Sequence, residues 1–505
     1  MRDGKMSYFL VLSKLLVFLV VFAGVNSLSV HGQSDVFEVS DFGVDTSGDI
    51  WDITQALEKA WRRACDTKDG IVLIPRGTFL LNTVTLDGPC NGSTTLLLNG
   101  DLKAPVDPSA MGEGSEENWV LLRNVQDLFV TGKGSFDGQG AKSWLRNECK
   151  RKLDCISLPT SLNLDNVTNA FIEGITSLDS KFFHIAIRRS ESIVVKNVLI
   201  QAPEYSHNTD GIHISKSNHI TIHDSDIGTG DDCISLSQGS RNIHIYRVRC
   251  GPGHGISIGS LGNHANEEDV TGILVNNCTF TNTTNGARIK TWAPSFHSRV
   301  SNLTFEDIAL NNVSNPILID QHYCPNSHCA SKGESEVQIS YVDFHNFKGT
   351  SPDNVSVTLN CSACMPCEAI VLGELDISHT GGGPTTSACA NVHGTSYGSV
   401  SSIACGDEYI APTGDIGMAP RSDIAPSDDE GQINSCSNAS IAPSPEDQIP
   451  PSGGEHGIIE CNDVKVSPSG EVGTIPYDGF QITPCLEDDV VPRNGVGTSS
   501  SMEDI

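Results

Sequence analysis

Four short stretches near the middle of the chain concentrate residues that could do chemistry: Asn208-Thr209-Asp210-Gly211, Gly230-Asp231-Asp232, Gly253-His254-Gly255 and Arg288-Ile289-Lys290. Asp210 and Asp231 lie 21 residues apart, and Asp232 and His254 lie 22 apart. If one turn of a coiled parallel sheet takes about that many residues, the four islands stack on one face. Three carboxylates, a histidine and two cations then converge. Crowded carboxylates repel one another, which raises at least one pKa. One acid then keeps its proton for a leaving oxygen, while the others stay ionised and activate water. Regular strands send successive side chains to opposite faces, so Asp231 and Asp232 share a site only where the backbone leaves that geometry, and Gly230 makes this easier. His254, between glycines, has room to tune a carboxyl or hold a hydroxyl. Arg288 and Lys290, at i and i+2, share a strand face. Two cations directed the same way fit the capture of an anionic group, for which arginine is well shaped. Any one island alone reads better as a turn or a solvated corner. Four in succession do not.

The elements that must position these residues are strands. From about residue 95 onward, β-branched runs recur: Ile193-Val194-Val195, Ile220-Thr221-Ile222, Ile243-His244-Ile245, Ile273-Leu274-Val275 and Leu303-Thr304-Phe305. Their spacing is roughly 21–30 residues where it is tightest, the period of a solenoid of short strands. A β-propeller, the competing architecture, has repeats of about 40–50 residues. Asparagines accompany the runs at Asn197, Asn218, Asn242, Asn276 and Asn302, where they can stack and hydrogen-bond from turn to turn. The fold class expected is all-β, a parallel β-helix. One substantial helix is expected at Ile53 to Cys65, with Ala56, Leu57, Ala60, Trp61 and Ala64 on one face and Thr54 as its cap. It would cover one open end of the coil. The cysteine-dense region Cys361–Cys405 would serve the other.

Composition bounds the partners. The chain has 505 residues and 32 Lys+Arg against 62 Asp+Glu, a formal charge of −30. Such a surface argues against nucleic acid, which needs a cationic face. It leaves room for a polyanion held by a few local cations. Residues 1–27 read as a secretory signal, with Arg2, Lys5 and Lys14 before or within an apolar run of about 11 residues, Leu15 to Val25. A membrane-spanning helix needs about 20. Seventeen cysteines in an exported chain imply disulfides, with at least one left over. Cys361-x-x-Cys364-x-x-Cys367 has thiol–metal spacing but no fourth ligand nearby, so loop stapling is the expectation. Sequons at Asn91, Asn166, Asn277, Asn282, Asn302, Asn312, Asn354, Asn360 and Asn438 suggest a glycosylated surface. The organisation expected is a signal at 1–27, a catalytic β-helix at 28–405 and an acidic, Pro/Ser/Gly-rich disordered tail at 406–505.

The islands resemble those of the plant polygalacturonases of glycoside hydrolase family 28. The matching segments are Asn208-Thr209-Asp210-Gly211-Ile212, Gly230-Asp231-Asp232-Cys233, Cys250 to Ser260 around His254, and Arg288-Ile289-Lys290-Thr291-Trp292. Ile319 to Cys324, with Tyr323, is similar to the family's tyrosine segment. The resemblance implies a right-handed parallel β-helix and inverting hydrolysis of α-1,4-linked galacturonate in pectin, with no cofactor and no metal. It implies Asp231 as general acid and Asp210 and Asp232 as the carboxylates that hold and activate water. His254 supports the acid's protonation state, Arg288 and Lys290 bind the galacturonate carboxylate, Tyr323 shapes the subsite and Asn208 lines the cleft. It also implies a Cys233–Cys250 disulfide, and a monomer working in the cell wall or apoplast, without membrane once the signal is removed. His207 departs from the proline common at that place, and the long tail exceeds the family's usual end. A branched pectin (rhamnogalacturonan or xylogalacturonan) is the alternative substrate, and a non-catalytic wall-binding solenoid the alternative role. A lyase reading is weaker, and the sequence leaves endo or exo action open.

Overall fold

The computed structural model describes residues 35–111, 117–144, 158–325, 333–400 and 410–412. The expected signal at 1–27 and most of the expected tail lie outside the described residues. Eleven strands form one parallel sheet in simple sequence order. They are β1 (Val84–Asp87), β2 (Asn118–Arg123), β3 (Thr160–Asp165), β4 (Ile185–Arg188), β5 (Ile212–Ser215), β6 (Ile234–Leu236), β7 (Ile256–Leu261), β8 (Asn285–Trp292), β9 (Asn315–Tyr323), β10 (Val355–Asn360) and β11 (Thr386–Ala390). Between each pair the chain passes through strands of a second, 21-stranded sheet, so every circuit adds a coil. This is the parallel β-helix that the repeat implied, with the right hand that the family resemblance implied.

Side-chain alternation separates core from surface. Ile212 pairs with Ile234 and Ile234 with Ile256, while Ile214, Leu236 and Ile258 pair two residues further along. These two columns are fully buried. Each aliphatic side chain so placed stabilises the coil by about 1.5–3 kcal/mol. The column between them faces outward and runs Ala186, His213, Ser235, Ser257, Arg288. That outer column is the floor of the site.

Asparagine shapes the corners. Asn124, Asn166, Asn242, Asn282 and Asn312 all have φ between 52° and 59°. Asparagine tolerates this left-handed conformation because its short side chain bonds locally. The amides also bond coil to coil: Asn166 Nδ2 to Asn124 Oδ1 at 2.7 Å, Asn242 Nδ2 to Asn218 Oδ1 at 2.9 Å, and Asn312 Nδ2 to Asn282 Oδ1 at 2.9 Å. The stacking expected from the sequence is therefore present.

The helix expected from periodicity is α1, Thr54–Cys65, with Ala56, Leu57, Ala60, Trp61 and Ala64 buried. It packs on the first coil, where the Trp61 indole N–H donates to the Asp87 carbonyl at 3.0 Å and Cys65 bonds to Cys90. Thr54 is not its cap. Thr54 is the first helical residue, and the Asp52 carboxylate accepts its N–H at 2.8 Å. The carboxylate two residues upstream does what the hydroxyl was expected to do. Of the region Cys361–Cys405 expected to serve the other end, residues 401–405 lie outside the described residues. Cys367–His379, β11 and Val392–Val400 continue the coils, and Ile410–Pro412, inside the expected tail, pairs in parallel with Val392–Val400. The Cys361/Cys364/Cys367 run holds no free thiol: Cys361 bonds to Cys367, and Cys364 is also disulfide-bonded. Cys278 is buried and free, its thiol pushed up to about 12 by burial.

Candidate active site

The first two islands are joined through Thr209. Its hydroxyl donates to the Ser206 carbonyl at 2.8 Å and accepts the Gly230 N–H at 3.1 Å. A Cβ on Gly230 would stand 2.2 Å from the Ser206 carbonyl oxygen, so this glycine is required by close approach. Asp231 and Asp232 lie in the bend before β6, outside regular strand, so both can face the cleft. Asn208, at φ 57°, donates its backbone N–H to Asp231 Oδ2 at 3.3 Å. The Asp232 N–H reaches Asp231 Oδ1 at 2.8 Å. His254, one coil on, places Nδ1 3.0 Å from the same oxygen, while its N–H donates to the Asp231 carbonyl at 2.8 Å. Cys233 and Cys250 form a disulfide beneath this turn. His207 is exposed in the turn before Asn208.

Asp232 is the buried hub, 1% exposed. Its Oδ1 accepts from the Arg288 guanidinium at 2.6 Å and from the Ser257 hydroxyl at 2.7 Å, and its Oδ2 accepts from Lys290 Nζ at 3.0 Å. Arg288 Nε donates to Ser257 Oγ at 2.8 Å. Both cations come from β8, two residues apart, as expected. Arginine has five N–H donors and an ammonium three, so each retains donors for a second anion. Tyr323, at the end of β9, pairs with Trp292, meets its ring edge-on at 5.5 Å and lies under Lys290, whose Nζ is 5.3 Å from the ring centroid. Asp231, Asp232 and His254 also bring ligand atoms within 4.8 Å of one another, but the two cations already meet the Asp232 charge.

Asp210 is 6% exposed, on the coil before. Its Oδ2 accepts from the Ser235 hydroxyl at 2.6 Å. Burial raises its carboxyl pKa well above the ordinary range, and the charges of Asp231 and Asp232 raise it further. Burial also raises Asp231. There the hydrogen bond and charge of His254, with the charges of Lys290 and Arg288, outweigh it and hold the carboxyl below the ordinary range. In the unliganded site burial thus pushes Asp210 toward protonation, while His254 and the two cations favour the ionised form of Asp231. The Arg288 guanidinium stays charged, because the Asp232 and Asp231 charges outweigh its burial.

All the residues singled out in the sequence thus meet in one place. Three that were not singled out meet there too: Ser257, Ser235 and His213, whose Nδ1 lies 2.8 Å from Ser235 Oγ. The 22-residue step that relates Asp232 to His254 also relates His213 to Ser235 and Ser235 to Ser257. That period was the signal available. A broad groove of about 780 Å³ lies along Gln201, Asp226, Arg249 and Gly251 on the other sheet, and none of the three carboxylates, His254, Arg288 or Lys290 lines it.

Comparison with known proteins agrees with this geometry. The sequence model described as glycosyl hydrolases family 28 matches residues 65–405. A polygalacturonase of Gossypium hirsutum is 43% identical over 397 residues, covering 78% of this chain and 96% of the relative. An exopolygalacturonase of Oenothera organensis is 46% identical over 351 residues, covering 69% and 96%. Among solved structures, the endo-xylogalacturonan hydrolase of Aspergillus tubingensis superposes with a TM-score of 0.62 at 25% identity, covering 75% of this chain and 99% of that one. The polygalacturonase of Erwinia carotovora shares the fold, with a TM-score of 0.56 at 22% identity, covering 73% and 98%. Fold, site composition and relatives coincide: the chain belongs to glycosyl hydrolases family 28 and is a glycoside hydrolase.

Proposed function

We propose that the protein is a secreted polygalacturonase that cleaves α-1,4-galacturonosyl linkages of pectin with inversion, acting as a monomer in the cell wall. The observation that carries this reading is the paired cations of β8 beside three carboxylates on one outer sheet face. A neutral sugar has no use for them, whereas galacturonate brings a carboxylate to every residue. The two plant relatives carry polygalacturonase and exopolygalacturonase names. Among the described residues no helix is long and apolar enough to cross a membrane.

Asp231 gives its proton to the glycosidic oxygen as that bond breaks. Water adds to the anomeric carbon from the opposite face and loses a proton to a carboxylate. Asp210 is the better base, because Asp232 is held by Arg288, Lys290 and Ser257 and has little basicity left. Asp231 must first gain a proton, and Asp210 must give up the one that its burial favours. The arriving galacturonate carboxylate offsets the charges of Arg288 and Lys290 that hold Asp231 ionised, and so raises its pKa. His254 then fixes the acid's oxygen, and Asn208 and Tyr323 border the sugar.

The test is incubation with polygalacturonic acid, following reducing ends, viscosity and the anomer first released by NMR. New reducing ends with the inverted anomer and no unsaturated uronide are expected. Retention, or an unsaturated product, would reject the mechanism. A fast fall in viscosity identifies endo action, and monomer release with little fall identifies exo action. The likeness to the xylogalacturonan hydrolase favours xylogalacturonan as the second substrate to try.

A further inference from the structure

We propose that Ser235 and His213 are positioning residues for Asp210, a hydroxyl–imidazole relay that fixes one carboxylate oxygen and leaves the other to the attacking water. The inference rests on the reading of Asp210 as the base.

The geometry is a short chain. Ser235 Oγ lies 2.6 Å from Asp210 Oδ2, and His213 Nδ1 lies 2.8 Å from Ser235 Oγ. A serine hydroxyl has one proton and rotates freely unless its lone pair is also engaged. An Nδ1–H on His213 fills that lone pair and turns the Ser235 proton toward Asp210. The ring is itself held: His213 stacks on Phe183 with centroids 4.6 Å apart, and Phe183 stacks on Phe182 at 4.1 Å. Burial holds the imidazole down to about 3, with Arg188 and Lys290 also lowering it and Asp232 opposing, so the ring is neutral at any working pH. When Asp210 takes up a proton on Oδ2, the hydroxyl accepts it and turns its own proton to Nδ1 of the other His213 tautomer. Either protonation state of the buried carboxyl is thus satisfied.

Asp232 offers an internal control. It too accepts from a serine, Ser257 at 2.7 Å, in the same outward column one coil later. The donor behind Ser257 is the Arg288 cation at 2.8 Å, not a neutral ring. Two carboxylates 22 residues apart therefore receive the same hydroxyl contact with different charge behind it. This makes Asp210 the more basic and Asp232 an anchor.

The sign of the pH effect follows. Burial, Asp231 and Asp232 raise the Asp210 carboxyl, while Ser235 and Lys290 lower it. Removing the hydroxyl should raise it further, so the acid limb of kcat should move to higher pH. The experiment is a kcat and KM profile against pH on polygalacturonate for Ser235→Ala, His213→Phe, Asp210→Asn and the Ser235→Ala/Asp210→Asn double variant, with thermal midpoints as a folding control. Ser235→Ala should lower kcat by about 10–100-fold, the scale of a small misplacement at the reacting centre, with KM within about twofold. His213→Phe keeps the stacked ring and loses the donor, so it should shift the limb the same way by less. In the double variant Ser235→Ala should add no loss, since it acts only through Asp210. The relay is overturned if KM rises at unchanged kcat, if the limb stays put, or if the two losses multiply. Should Ser235→Ala fail to fold, His213→Phe decides by the same limb. An active Asp210→Asn would instead remove the base assignment and the relay with it. An inactive Asp210→Asn beside an unaffected Ser235→Ala removes the relay alone.

Discussion

Asp231→Asn keeps a side chain of the same shape between Asn208 and His254 but has no proton to give. It should lower turnover on polygalacturonate by about 10²–10⁴-fold, the usual share of a positioned acid, with the thermal midpoint little changed. Near-normal turnover in the folded variant rejects Asp231 as the acid. Arg288→Lys should do something different. A lysine cannot serve Ser257 and Asp232 together as the planar fork does. Loss of a charged hydrogen bond is worth about 1.5–3 kcal/mol, so kcat/KM should fall about 10–100-fold and the thermal midpoint should drop too. An unchanged midpoint would mean the buried Asp232 charge does not depend on Arg288. At this scale the sequence was legible where a residue type is rare and repeats in step: Asp210, Asp231, Asp232, His254, Arg288 and Lys290 all meet. What it did not show is who pairs with whom. The cations read as partners for a substrate carboxylate also hold Asp232. Serines, common everywhere, carried no flag at all.

Between residues and molecule lies the coil, and its corners are the testable part. Asn242 sits at φ 52° and donates to Asn218 at 2.9 Å. Asn242→Ala gives up both the left-handed tolerance and the bond, about 1–2 kcal/mol together, read as a lower thermal midpoint. Gly251 makes a harder case. It has φ 139°, and an added Cβ would stand 1.9 Å from the Thr281 carbonyl oxygen on the next coil. Gly251→Ala should therefore destabilise by more than Asn242→Ala and, because His254 follows three residues later, should lower kcat as well. A larger loss at Asn242 than at Gly251 would contradict this ranking. The coil was legible because its period is carried by isoleucines that must all point inward. The helix start was less so, since a threonine and an aspartate two residues apart are equally good cap candidates and only the backbone decides between them.

The β-helix is a stack, and its stability is set by its ends and by what it buries. A chain ending after residue 412 keeps the strand Ile410–Pro412, whereas one ending after residue 405 removes it from the edge of Val392–Val400. The longer form should hydrolyse polygalacturonate normally with an unchanged midpoint, and the shorter should melt earlier. Loss of activity in the longer form would tie residues 413–505 to the catalytic unit. Acid acts through His184, which is fully buried, with Nδ1 2.8 Å from Ser177 Oγ and burial lowering its pKa to about 3. Among the described residues its Nε2 has no partner. An unfolded histidine takes a proton near pH 6.5, so stability should fall as pH drops from about 6.5 toward 3. His184→Gln should lessen that slope, leaving the share of His213, and an equally steep slope would exclude His184 as a source. At this scale the end of the coil was the least legible part, because strands of the last rungs, rich in Ser, Gly and Cys, lack the aliphatic rhythm of the middle.

Asn166, Asn302 and Asn312 are each the first residue of a sequon, and each donates its side-chain amide along the stack, to Asn124, Thr271 and Asn282 respectively. An N-linked sugar is attached through that same nitrogen. A glycan there leaves the amide a single hydrogen and sets a bulky pyranose beside the next coil. Attachment happens on a chain still being made, before the coils close. In a chain exported as proposed, oligosaccharide transfer and coil closure would compete for one atom at these three corners. Rapid folding would leave them bare, and slow folding would decorate them.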